Sequence, residues 1–121
     1  MRNLVLALLL LPVTAIAQYE DHPGQQMLWE GMTNMAPGYE MLLACERDYT
    51  AELVYKNMTQ LASTVVQNRR DIDIALEMWQ QARKEASMQY YDTIRGLERN
   101  PESEACNNLE SRIIQILDEA V

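Results

Sequence analysis

The residues best suited to chemistry are one imidazole and three thioethers near the N-terminus, His22, Met27, Met32 and Met35. Thioether sulfurs together with an imidazole suit Cu(I). Met32 and Met35 are three residues apart, so their sulfurs share one face of a helix. The same spacing also suits methionines that fill gaps in a helical core. A Cu(I) carrier and a methionine-packed helix both fit this segment.

The two cysteines, Cys45 and Cys106, are far apart in the sequence and form no Cys-x-x-Cys motif. If the chain reverses twice between them, both lie near the same end of a helical bundle and nearly level, because a helix rises about 1.5 Å per residue. A structural disulfide is the expected outcome. Buried free thiols or a redox pair are the alternatives.

The chain has a single histidine, which restricts the catalytic and haem chemistry open to it. Covalent haem attachment needs a Cys-x-x-Cys-His motif, and a di-iron site in a bundle needs more than one histidine. The carboxylates of Asp71 and Asp73 fit a solvated helix face better than an acid–base pair, because nothing converges on them. We therefore expect no enzymatic activity and, outside the Cu(I) alternative, no cofactor.

Three aromatic residues are candidates for contacting a protein partner: Trp29, Tyr90 and Tyr91. Tyr90 and Tyr91 point in different directions on a helix, so one of them is expected to be exposed. Exposed aromatic side chains are enriched in protein interfaces. Partly covered core aromatics are the alternative.

The N-terminal segment has the three parts of a secretory signal peptide. Arg2 gives a positive start, residues 4–11 form an apolar run, and small residues precede a cleavage site before Gln18. The run is shorter than the roughly 20 residues that span a bilayer. The expected division is a signal peptide at 1–17, a flexible N-terminal arm at 18–24 and a helical bundle domain at 25–121. The mature protein is expected in the periplasm or outside the cell, without a membrane anchor.

Helix-favouring residues dominate the chain beyond the arm, and no alternating strand pattern occurs. The pattern predicts a short helix at 25–35, ended by a turn at 36–38. Apolar residues then recur at intervals of three and four on both sides of a polar break at 67–71, which predicts two long antiparallel helices. The expected fold is all-α: an antiparallel up-down-up bundle of three main helices, with a short N-terminal helix and one disulfide.

Polar residues and helix breakers mark the expected helix ends. Asp71 is the predicted N-cap of the second long helix, because its carboxylate can accept from free backbone N–H groups. Gly96 is expected to end that helix. Asn100 is then expected to cap the last helix, with Pro101 at its first position.

The composition is strongly acidic. The chain has 121 residues, with 18 Asp and Glu against 10 Lys and Arg, and its formal net charge is −8 at pH 7. This length is that of one small domain. Such a charge disfavours binding to nucleic acid or to anionic membranes and favours a cationic protein partner.

Residues from about 40 to 117 resemble the LprI-like lysozyme-inhibitor family, whose members are exported, cysteine-bridged helical domains. The family pattern has a Cys followed by Leu and Tyr, then Trp-x-x-x-Arg, then a Cys followed by Leu, Ser or Thr, and Arg. The matching residues are Cys45, Leu53, Tyr55, Trp79, Arg83, Cys106, Leu109, Ser111 and Arg112. Ser87 stands where the family has a further Cys. The resemblance implies a protein that binds and inhibits lysozyme.

Three functions are consistent with these features. The expected one is an exported helical protein that acts by protein binding, as a lysozyme inhibitor or an envelope-protection factor. Acidic helix faces would attract its partner and exposed aromatics would anchor it. The alternatives are a Cu(I) carrier and a structural or assembly subunit without a ligand.

Overall fold

The computed structural model describes residues 23–119, and all regular structure in that range is helical. The five helices are α1 (Pro23–Ala44), α2 (Asp48–Ser63), α3 (Arg69–Gln89), α4 (Tyr91–Arg99) and α5 (Glu104–Glu119). The predicted all-α bundle is confirmed, and so is its disulfide. The expected signal peptide and residues 18–22 of the expected arm lie outside the described residues.

Helix α1 is the centre of the bundle, since it contacts each of the other four helices. Its buried residues Leu28, Met32 and Ala36 recur every four positions, so they share one face. That face meets Met78 and Trp79 of α3 in the main hydrophobic core. The helix on which the other elements assemble is therefore the first one in the described chain.

The predicted turn at 36–38 does not exist, and α1 runs through it as one helix that also includes Pro23 and Gly24. The N-terminal helix is thus the longest of the five rather than a short one. A proline inside a helix costs about 3 kcal/mol, and here the packing of α1 against four helices offsets that cost. A Cβ at Gly38 would lie 3.2 Å from Cδ1 of Ile113, so the glycine allows α5 to approach closely.

The chain reverses after α1 at a position where no reversal was predicted. Glu46 has a φ of 58°, in the left-handed region that glycine usually occupies at helix ends. The N–H of Arg47 donates to the carbonyl of Leu42 at 2.9 Å, which closes the end of α1. The predicted long helix from residue 39 is therefore divided, and Cys45 lies in the turn.

The predicted reversal near 67–71 is present between α2 and α3. The N-cap of α3 is Asn68 rather than the predicted Asp71, because the Asn68 side chain accepts from the N–H of Asp71 at 3.0 Å. Asp71 lies in the first turn of α3, and its carboxylate accepts from the N–H of Gln67. Helix α2 runs antiparallel to α1 and to α3, and α5 runs parallel to α2, so the predicted up-down-up order is that of α2, α3 and α5.

The C-terminal part of the chain has one more break than predicted. Helix α3 ends at Gln89, Tyr90 separates it from α4, and Gly96 lies inside α4 rather than at a helix end. Helix α5 begins at Glu104, and the Ser103 hydroxyl accepts from the N–H of Cys106 at 3.3 Å. Asn100 is therefore not the cap of the last helix.

Helices α2 and α5 begin at the same end of the bundle, beside the disulfide. Cys45 and Cys106 are bonded, with a Cα–Cα distance of 5.7 Å. From there α5 runs alongside α2, because Thr50 contacts Glu110 and Val54 packs near Ile113 and Leu117. No helix in the described part of the chain is long and apolar enough to cross a membrane.

Candidate functional site

An open apolar groove of about 280 Å³ lies between α2 and α3. Its apolar lining comes chiefly from Tyr55, Met58 and Ala62 of α2 and from Ile72, Ala75 and Leu76 of α3. It exists because α2 and α3 each pack against α1 far more than against each other. Two of the residues between them are alanines, which leave space where larger side chains would close it.

Large aliphatic side chains remain exposed along this groove. Ile72 and Leu76 are each 47% exposed. They are four residues apart and so lie on one face of α3. Single exposed hydrophobic residues are ordinary, but a contiguous apolar patch on a small monomer usually marks an interaction site. This pair beside an apolar groove is therefore a candidate interaction surface.

The polar groups in the groove are occupied within their own helix. The Thr59 hydroxyl donates to the carbonyl of Lys56 at 2.8 Å, and the Ser63 hydroxyl donates to that of Gln60 at 2.6 Å. The lining therefore offers contact to apolar side chains rather than hydrogen bonds to a polar substrate. The residues that line the groove include no His, Cys, Asp, Glu, Lys or Arg.

The exposed charges next to the groove are mixed in sign. Glu52 precedes Tyr55 by one turn of α2, and Asp73 lies between Ile72 and Leu76. Arg69 lies one turn before Ile72. The excess of carboxylates is carried elsewhere: α5 has four carboxylates and one arginine, and α1 has two carboxylates and no basic residue. Apolar contact is thus what the groove itself provides, while the net charge acts over longer range.

The three aromatics predicted to contact a partner do not form one surface. Trp29 is 8% exposed and packs in the main core, as in the alternative of a core aromatic, and its contact with a partner stays a prediction. Tyr90 is half-buried in the break before α4. Tyr91 is 54% exposed, as expected for one of the pair. Its ring lies under the Arg95 guanidinium and its hydroxyl accepts from Arg95 Nε at 3.1 Å. That hydrogen bond raises the pKa of Arg95 above its usual value.

The methionines of the Cu(I) hypothesis are not gathered into one site. Met32 is fully buried in the core and Met27 is 51% exposed. These two are five residues apart on α1, on different faces. The Met35 sulfur accepts from Nδ2 of Asn57 at 3.4 Å. His22 lies outside the described residues. For Met32 and Met35, core packing is what the structure shows.

The Trp-x-x-x-Arg motif links two helices in the interior. Trp79 is 2% exposed, and the rings of Tyr39 and Tyr55 meet it edge-on at centroid distances of 5.3 and 6.3 Å. Arg83 Nε donates to Oε1 of Glu40 at 2.5 Å, and its guanidinium lies 5.0 Å from the centre of the Tyr39 ring. The motif therefore joins α3 to α1 and does not line the groove.

A polar cluster beside the disulfide was not anticipated from the sequence. Arg47 Nη2 donates to Oδ1 of Asn107 at 2.7 Å and to the carbonyl of Pro101 at 3.3 Å. Its Nε lies 3.5 Å from Oε1 of Glu110, within ion-pair distance but without hydrogen-bond geometry. The Thr50 hydroxyl donates to the other Glu110 oxygen at 2.6 Å. Only the turn at residues 45–47 brings these groups together, and that turn has no sequence signal.

Within residues 23–119 no group of three or more His, Cys, Asp or Glu residues is arranged to hold a metal ion. Comparison of the chain with protein-family models, with curated proteins and with solved structures found no match.

Proposed function

We propose that this protein is an exported, non-enzymatic binding domain that captures a cationic protein partner, with the α2–α3 groove as its contact surface. The observation that carries the proposal is the groove itself, where Ile72 and Leu76 stay exposed beside a buried apolar floor. Removing apolar surface from water is the main favourable term in most protein association. A partner that inserts an apolar side chain there gains that term without breaking a hydrogen bond of this chain.

The charge of the chain supports a basic partner. A net charge of −8 on a small domain creates a field that accelerates the approach of cationic proteins. Because the rim of the groove is mixed in sign, this attraction acts on the rate of encounter more than on the final contact. The proposal therefore combines steering by the whole surface with anchoring in one groove.

Lysozymes are the partner class that the resemblance of residues 40–117 implies, and they are cationic. In this proposal a lysozyme would be bound and inhibited by coverage of its surface. Trp79 and Arg83, which carry part of the resemblance, contact Tyr39 and Glu40 of α1 and would hold in place α3, one of the two helices that display the groove.

The test is calorimetric titration of the mature chain, from Gln18 onward, with a purified lysozyme. Leu76→Gln places an amide in the groove and is expected to weaken binding by about tenfold or more. Met88→Gln is the matched control, since Met88 lies on the same helix, is 72% exposed and does not line the groove. It is expected to change the Kd by less than about twofold.

Raising the salt concentration separates the two parts of the proposal. Higher ionic strength is expected to slow association and leave dissociation nearly unchanged, because steering is screened and apolar contact is not. Absence of binding would remove lysozyme as the partner class. Equal affinities of the Leu76 and Met88 variants would remove the groove as the contact surface.

A further inference from the structure

Helix α5 is attached to the bundle unevenly along its length. Cys106 is its only buried residue in the described range, and it lies in the first turn. By contrast, α2 and α3 each bury five residues. A helix with one buried side chain has little apolar burial to hold it, so other contacts must supply its attachment.

Those other contacts are concentrated at the beginning of α5. The disulfide joins Cys106 to Cys45, and Arg47 bonds to Pro101 and Asn107 around it. Glu110, one turn further on, accepts from Thr50 and lies beside Arg47. Four of these five links are partly exposed hydrogen bonds or ion pairs, which contribute little individually. The covalent bond is therefore the dominant link.

The second half of α5 is loosely packed. A cavity of about 120 Å³ lies between it and helices α1 and α2, bounded by Met35, Val54 and Ile113 among others. Ile114 is 39% exposed and Ile116 is 55% exposed. An unfilled space under the apolar face of this helix forfeits the contacts that would hold the helix in place.

The surface beneath α5 is apolar. Leu42, Ala51 and Val54 are almost completely buried, and Ile113 and Leu117 of α5 pack against them. We propose that the Cys45–Cys106 disulfide is a redox-sensitive latch: its reduction frees α5 from the bundle and uncovers the apolar strip of Leu42, Ala51 and Val54. Helices α1, α2 and α3 keep their own core and stay folded.

The reductant is a dithiol. One thiolate attacks a sulfur of the disulfide, forms a mixed disulfide and releases the other cysteine as a thiolate. The second thiol of the reductant then displaces the first cysteine. The dithiol becomes a disulfide and gives up two protons, which the two cysteines take up. Both cysteines are 0% exposed, so attack follows a local opening at the start of α5.

The latch goes beyond the proposed partner binding and does not depend on it. The groove is lined by α2 and α3 and by Val66 in the loop between them, without a residue of α5. Reduction is therefore expected to leave the groove intact. If lysozyme binding fails, the latch is still testable, and the reverse also holds.

Hydrogen exchange read by mass spectrometry tests the latch on the full mature chain. The folded, oxidised protein is treated with dithiothreitol, and the amides of α5 are compared with those of α3. Protection in α5 is expected to fall by about 100-fold or more, whereas protection in α3 changes by less than about threefold. Reoxidation is expected to restore α5. A dye that fluoresces on apolar surfaces is expected to bind only the reduced form.

Thr50→Val in the oxidised chain is the matched control, because it removes one polar link to α5 and keeps the disulfide. It is expected to lower α5 protection by less than about tenfold. Unchanged protection of α5 after reduction would overturn the proposal, since the helix would then be held without the bond. Simultaneous loss of protection in all helices would also overturn it, because the bond would then be a brace for the whole fold.

Discussion

Arg83 on α3 and Glu40 on α1 are joined by a hydrogen bond of 2.5 Å between Nε and Oε1, beside Trp79, the least exposed aromatic residue within residues 23–119. The side chain of Glu40 is only 13% exposed and that of Arg83 is 30% exposed. The flat guanidinium also lies against the ring of Tyr39. One cation thus connects two helices through both a carboxylate and an aromatic ring.

Replacing Arg83 with Gln is expected to lower the free energy of unfolding by about 1–2 kcal/mol, because Glu40 is left with little access to water and no cation. Urea unfolding followed by tryptophan fluorescence measures this, since Trp79 is next to the pair. Arg95→Gln is the control, because the Arg95–Glu98 pair is solvent-exposed and its loss is expected to have a much smaller effect on the free energy of unfolding. Equal effects of the two substitutions would contradict this prediction.

Two methionines on α3 give a test of the core. Met78 is 0% exposed and Met88 is 72% exposed. Met78→Ala is expected to cost about 2–4 kcal/mol of unfolding free energy, because it leaves a cavity in the main core. Met88→Ala is expected to stay within about 0.5 kcal/mol of the parent chain. Calorimetric melting of both variants measures the difference, and a small loss at Met78 would place it outside the core.

Gly96 is a position where another residue is expected to make the folded protein more stable. It lies inside α4 with no positive φ, and an added Cβ would meet no atom within 4 Å. Gly96→Ala is therefore expected to raise the free energy of unfolding by about 0.5–1 kcal/mol. Gly38→Ala, whose Cβ would press on Ile113, is expected to gain less. Thermal melting distinguishes them, and a loss at Gly96 would mean that α4 is not helical there.

The start of α5 gives a prediction about caps. Ser103→Ala removes the acceptor of the Cys106 N–H and is expected to cost about 1 kcal/mol. Asn100→Ala, at the position that the sequence marks as the cap, is expected to cost less than about 0.5 kcal/mol. Urea unfolding of the two variants decides between them. If Asn100→Ala lowered the free energy of unfolding more than Ser103→Ala, Asn100 would be the cap of α5, as the sequence predicted.

The sequence predicted those features that follow from periodicity. The spacing of apolar residues on both sides of residues 67–71 was enough to place the α2–α3 reversal. Two reversals between the cysteines then placed both of them near the same end of the bundle. These properties repeat over many residues, so an error at one position does not change them. The disulfide was predictable for the same reason.

Predictions that depended on single turn-forming residues were wrong in two ways: one predicted turn is absent, and one real helix end was not predicted. Pro37 and Gly38 predicted a turn, yet α1 continues through them because tertiary packing outweighs the local preference. Glu46 takes a left-handed conformation that normally signals glycine, so the real end of α1 had no signal. The groove was not predictable either, because it depends on how far α2 and α3 diverge over α1 and not on the residues of one helix.

The central place of α1 has a consequence for the order of assembly. A chain that emerges from its N-terminus presents α1 first, with its apolar face complete and none of its four neighbours yet available. Each later helix then has a surface ready to receive it. The cysteine that closes the structure belongs to the last helix, 61 residues after its partner. Oxidation can therefore join the two sulfurs only after α2, α3 and α4, which lie between them in the sequence, have been synthesised.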